Sequence, residues 1–136
     1  MAESGLGWTT LSIELAGGAA KDIRSNITNF QFATPRGVQD VTGIDKLAHE
    51  RLLLLADFSV TMNGVFDDTA DKSHDVFKTI PSSPLSRAMT NVISGQSLPV
   101  EVLLTDYNLT RAATGELTWQ VPGVLADGNV PTWTTA

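Results

Sequence analysis

The sequence predicts a mainly-β fold: an antiparallel β-sandwich or small barrel with one flanking α-helix. Three observations carry this. Five or six stretches alternate apolar and polar residues, which is the period of a strand with one buried face. Turn-forming Gly, Pro, Asn, Asp and Ser separate these stretches. Only one stretch has a helical period, and it is short.

Trp8 to Leu15 sets Leu11, Ile13 and Leu15 against Thr10, Ser12 and Glu14, and Gly17-Gly18 closes that strand. Residues 19–34, with Ile23, Ile27, Phe30 and Phe32, read as a short turn plus a strand, punctuated by Pro35-Arg36-Gly37. Residues 38–51 show no clean period and carry Asp40, Asp45, Lys46, Glu50 and Arg51. They read as a long loop, a feature that is usually functional in a small domain.

The chain is organised around Ala56 to Ile80. Phe58, Val60, Met62, Gly64 and Phe66 fall on one face of a strand; Asp57, Ser59, Thr61 and Asn63 fall on the other. The period then changes. Asp68 or Thr69 is expected to cap a helix whose first turn holds Asp68 and Asp71 and whose stripe is Ala70, Ser73, His74 and Phe77. Ile80-Pro81 stops it. Ala88 to Ile93 and Leu98 to Leu109 read as two further strands, the second with apolar residues on both faces. Glu116 to Ala126 alternates again, with Leu117, Trp119 and Val121 inward; Pro122 implies an edge or a bend. Asp127-Gly128 is a turn, and Val130 to Ala136 reads as a tail anchored by Trp133.

A chain of 136 residues reads as a single domain, 1–136, with arms at about 1–7 and 128–136 and the loop at about 38–51. With no cysteine it makes no disulfide and performs no thiol chemistry. Met1 to Gly7 has neither basic run nor apolar core, so no signal peptide is expected, and the apolar run Leu52–Ala56 is too short to span a bilayer. A net charge of −6 with scattered Lys and Arg argues against tight grasping of a nucleic-acid backbone.

Catalytic and metal motifs are absent. His49-Glu50 begins an H-E-x-x-H pattern, but Leu53 stands where the second histidine belongs. His74 has no second histidine nearby. The acids Asp67, Asp68, Asp71 and Asp75 lack the spacing and glycine of a calcium loop. There is no G-x-S-x-G, Walker A or dinucleotide motif. The sequons at Asn26 and Asn108 are read as accidental without a secretory signal. Trp8, Trp119 and Trp133 are assigned to packing before a carbohydrate platform. No enzyme, cofactor or metal site is expected.

Four stretches together resemble the major tail tube proteins of long-tailed (siphovirus-type) bacteriophages: V-T-G-I-D-K-L-A-H-E-R-L (Val41–Leu52), F-S-V-T-M-N-G-V-F-D-D (Phe58–Asp68), L-P-V-E-V-L-L-T-D-Y (Leu98–Tyr107) and G-E-L-T-W-Q-V-P (Gly115–Pro122). The resemblance covers roughly residues 20–126. It implies two packed antiparallel sheets with a flanking helix, in hexameric rings stacked into a tube that conducts the DNA genome. It further implies a tail location after assembly in the bacterial cytoplasm, partners such as tape measure and tail terminator proteins, only transient DNA contact, and no membrane.

On that expectation Asp57, Thr61, Glu101, Glu116, Thr118 and Gln120 belong to the lumen wall, because they lie on polar strand faces. Asp45, Lys46, Glu50 and Arg51 belong to a subunit interface, because a mixed-charge loop can pair across a contact and set register. Phe58, Val60, Met62, Leu117 and Trp119 belong to the core. The rival reading is a small β-sandwich binding module or a capsid-decorating protein.

Overall fold

The computed structural model describes residues 8–15 and 18–135. The expected N-terminal arm, 1–7, and Gly17 of the first turn lie outside the described residues. Eleven strands are described: β1 (Trp8–Glu14), β2 (Ala20–Asp22), β3 (Ile27–Ala33), β4 (Arg36–Asp40), β5 (Arg51–Ala56), β6 (Ser59–Val65), β7 (Arg87–Ile93), β8 (Gln96–Leu104), β9 (Asn108–Arg111), β10 (Leu117–Leu125) and β11 (Thr134–Thr135). One helix, α1 (Ser73–Phe77), and a 3-10 turn at Arg24–Asn26 complete them. The fold is mainly β and antiparallel with one helix, as expected.

The strands form a continuous sheet in the order β2-β1-β7-β8-β10-β6-β3, with β11 on β8 and β9 on β10. Its inward residues make one core: Leu11 and Ile13 from β1, Met89 from β7, Val100 and Val102 from β8, Trp119 and Val121 from β10, Val60 and Met62 from β6. A sheet that buries a single face must turn over on itself, and it does. Trp8 on β1 packs edge-on against Phe30 on β3, 5.1 Å between centroids, although four strands separate these two in the order. The two halves therefore pack face to face. Strands β4 and β5 form a separate two-stranded sheet.

Several expected elements are refined by the structure. The strand read as Leu98–Leu109 is broken at Thr105–Tyr107 into β8 and β9, which share one edge of β10. Pro122 stands where β10 passes from β9 to β8; its carbonyl accepts the Thr105 N–H at 3.1 Å, so its missing N–H faces the gap. Leu117, expected in the core, is partly exposed at the start of β10, while Phe58, Val60, Met62 and Trp119 are buried. The segment read as a loop, 38–51, contributes Val38–Asp40 to β4 and Arg51 to β5. Neither strand alternates in sequence, which hid both. Trp133 sits against Phe32, 6.1 Å between centroids, and β11 pairs with Gln96 and Ser97.

The helix is shorter than expected and is capped from elsewhere. It begins at Ser73, and the cap position is Lys72, which makes no side-chain cap bond. Asp68 and Asp71 precede the first turn, whose acid is Asp75. Asp71 has φ 65° and pairs with Lys21 at 3.3 Å. The free Ser73 N–H donates to Oδ1 of Asn26, 47 positions away, and Asn26 in turn donates to Asp67 Oδ2 at 3.1 Å. At the other end, the buried Arg87 guanidinium donates to the Val76 carbonyl and to Thr79 Oγ1, where free carbonyls and the dipole favour a cation. Burial lowers the Arg87 pKa. Tyr107 and Trp119 then pack on Phe77, fixing the helix over β9 and β10.

Gly64 is required by close approach. A Cβ there would lie 2.0 Å from the Asn26 carbonyl and 2.6 Å from the Trp119 ring. The same Trp119 donates Nε1–H to the Val65 carbonyl at 2.8 Å.

Three outcomes follow from this packing. Trp119→Ala should cost about 3–5 kcal/mol in urea unfolding; a loss under about 1 kcal/mol would contradict its place in the core. Asn26→Ala should cost about 1–2 kcal/mol, since a first-turn N–H loses its acceptor. Hydrogen bonds from Thr69 and Asn26 hold the Asp67 carboxyl below its usual value of 3.8. Its contribution to stability is therefore present above that value and is lost as pH falls through the lowered one. Asp67→Asn should flatten the acid-unfolding curve below about pH 4; an unchanged slope would contradict it.

Candidate functional site

The strongest candidate surface is the outward face of four adjacent strands, β9-β10-β6-β3. Paired residues on neighbouring strands point to the same side, so the register defines the face. Gln31 pairs with Thr61 and Asn29 with Asn63. Asn63 pairs with Gln120. Gln120 pairs with Asn108 and Thr118 with Thr110. The centre of the face is thus amides and hydroxyls, with no charge at these paired positions, in a chain of net charge −6.

Both flanks of this face are open. The strand order ends at β3, and β9 pairs with β10 alone, so among the described residues each has one edge without a strand partner. Open edges normally carry charge, proline or a bulge that prevents pairing with another chain. Strand β3, I-T-N-F-Q-F-A, has neither charge nor proline over seven residues, and its register against β6 shifts once, between Ile27 and Asn29, leaving Asn29–Ala33 regular.

The expected wall residues divide in two. Thr61, Thr118 and Gln120 come together on this face. Asp57 lies two residues before β6 and Glu116 one residue before β10; because these strands are antiparallel, the two acids lie at opposite ends of the face. Glu101 is on β8, outside the four strands, and accepts a hydrogen bond from Ser86 at 2.8 Å.

The second surface is the arm formed by β4 and β5. Val38 faces the same side as Leu53, and Gln39 the same side as Leu52. Leu52, Leu53, Leu54 and Leu55 are all exposed, Leu55 at 90%. At the tip, Ile44 and Leu47 are fully exposed. Burying one such side chain is worth about 1.5–3 kcal/mol, so a contiguous display of this kind makes the arm a candidate contact surface.

The expected interface residues belong to this arm. Asp45 and Lys46 are in the tip; Arg51 opens β5 opposite Asp40. Glu50 closes the loop: its N–H donates to Thr42 Oγ1 at 2.7 Å and its carbonyl accepts from Val41 at 2.9 Å. All four are exposed, and among the described residues none of the four is in an ion pair. Hydrogen bonds from Thr42 hold the Asp40 carboxyl below its usual value, and His49 Nδ1 lies 3.2 Å from it. The leucines 52–55 and the tip pair Ile44 and Leu47 were missed by sequence reasoning. The signal of the leucines was an unbroken apolar run, which describes a strand covered on both faces; Ile44 and Leu47, split by Asp45 and Lys46, gave none.

No group of three His, Asp or Glu that could hold a metal occurs among the described residues. The carboxylates of Asp67, Asp71 and Asp75 are engaged by Thr69, Lys21 and Lys78, and Asp75 also accepts the Asp71 N–H at 3.1 Å. His74 Nδ1 lies 3.2 Å from the Tyr107 hydroxyl and its ring packs on Phe66. The tryptophans form no shared platform: Trp8 and Trp133 flank Phe32, and Trp119 is in the core beside Phe77.

If the arm is a contact surface and not core, Leu55→Asp should change the unfolding free energy of the dilute protein by no more than about 0.5 kcal/mol. A loss of several kcal/mol would mean that the arm packs within its own chain.

No protein-family model matches the chain, and no curated protein matches it. Solved structures of the same fold exist. A chain in the tail of an empty gene transfer agent (GTA) particle, obtained by helical refinement with C6 symmetry, superposes with TM-score 0.77 at 17% identity, over 99% of both chains. A chain in the virion of the native GTA particle gives TM-score 0.75 at 17% identity, over 98% of this chain and all of that one.

Proposed function

We propose that copies of this chain assemble as hexameric rings, stacked into the tail tube of a phage or phage-like particle, and that the tube conducts DNA. The role is structural and not enzymatic. The observation that carries this reading is the polar four-stranded face with two open edges. Joining β9 of one copy to β3 of the next continues the sheet, and closing it round a ring leaves no edge open. The fold shared with a chain of a GTA tail refined in C6 symmetry supports sixfold closure.

In such a ring the outward face lines the channel. Thr61, Thr118 and Gln120 then meet the lumen, with Asp57 and Glu116 at its two rims and Glu101 beyond. DNA is a dense polyanion held by Lys and Arg. An uncharged wall of amides and hydroxyls keeps its water and offers passing phosphates no cation to hold them, and acids at the rims repel. The arm would cover its leucines on neighbouring copies, with Asp45, Lys46, Glu50 and Arg51 pairing across the contact. On this reading the further partners are tape measure and tail terminator proteins.

Negative-stain microscopy of the concentrated protein should show rings or tubes with a central channel. A map of them should place Thr61, Thr118 and Gln120 on the channel wall; finding these on the outer surface would overturn the assignment. Replacing residues 37–55 with a short Gly-Ser turn should leave a folded protein that forms no tubes, and normal tubes from that variant would refute the role of the arm.

A further inference from the structure

The arm carries both halves of one contact. At its base an apolar trough is lined by Leu53, Leu54, Leu55, Ala56 and Val130, with Arg36 at the rim. At its tip, I-D-K-L places Ile44 and Leu47 in solvent on either side of Asp45. The chemistry matches: two bare apolar side chains with Asp45 and Lys46 between them at one end, an apolar trough with a cation that Asp45 can meet at the other. Arg36 uses Nε for the Leu54 carbonyl, at 2.9 Å, and its other nitrogens make no ion pair among the described residues. The tip cannot fill the trough of its own chain. The paired strands hold them apart by the length of β4, about 17 Å for five residues.

We infer that the tip of one copy seats in the trough of a second copy, Ile44 and Leu47 against Leu55 and Val130, with Asp45 beside Arg36. This rests on the reading of the arm as a contact between copies and names its occupant. In stacked rings the contact is head-to-tail, each tip in the next copy's trough, and so propagates from copy to copy; a reciprocal two-fold exchange of tips would close at two copies.

The chain has no cysteine, so single thiols can be placed at will. Ile44→Cys and Val130→Cys variants are mixed under assembling conditions and oxidised, and cross-linked dimers are identified by mass. The expected product joins position 44 of one copy to position 130 of another, and neither variant alone forms it. Assembled protein that gives 44-to-44 dimers, or no 44-to-130 product, overturns the inference while the proposed function stands. Should a cysteine variant not assemble, charge exchange decides. Asp45→Arg and Arg36→Asp should each raise the concentration needed for assembly several-fold, and the double variant should restore it. No restoration overturns the pairing. Wild-type protein that never assembles, alone or on a tail initiator, overturns the proposed function and this inference with it.

Discussion

A β-strand presents hydrogen-bonding groups along both edges, and among the described residues β3 and β9 use only one edge each. The open edges flank the four strands whose outward face is polar, and their inner sides hold the core. Trp119 on β10 is the hinge of that arrangement. It packs under Gly64 on β6, reaches the Val65 carbonyl and supports Phe77 of the helix. The helix is held at one end by Asn26 and at the other by Arg87. Interior packing thus sets the positions of the edges, which the proposed ring would join.

The arm repeats this logic in apolar form. A two-stranded sheet with leucines on both faces is unstable in water as a free element, since an isolated hairpin is marginal at best. Here it stands apart from the main sheet with its apolar residues exposed. Backbone groups at the edges and side chains on the arm are both unfinished in a way that more copies of the same chain can finish. An extended enzyme cleft or metal cage would have converged polar groups; in this fold the polar groups of the face lie spread in register over four strands instead.

Much of this was legible in sequence because the rule is local. Alternation placed Leu11, Ile13, Val60, Met62, Trp119 and Val121 in the core and Thr61, Thr118 and Gln120 on one polar face. Non-local terms were not legible. The acceptor for Ser73 is Asn26, so a search for a cap among neighbouring residues settled on Asp68 or Thr69. The acids Asp57, Glu101 and Glu116 have the parity of a polar face, but parity does not reveal that two lie at opposite ends and one on another strand. The strands β4 and β5 have no alternation to detect, because neither face of the arm is buried among the described residues.

Amide hydrogen exchange in dilute and assembled protein tests the central claim most directly. The free-edge amides of β3 and β9, and the amides of β5, should exchange readily in the dilute chain and become strongly protected on assembly. The amides of β10, paired in both states, should change little. Equal exchange of the β3 and β9 edges in the two states would contradict the claim that neighbouring copies complete the sheet.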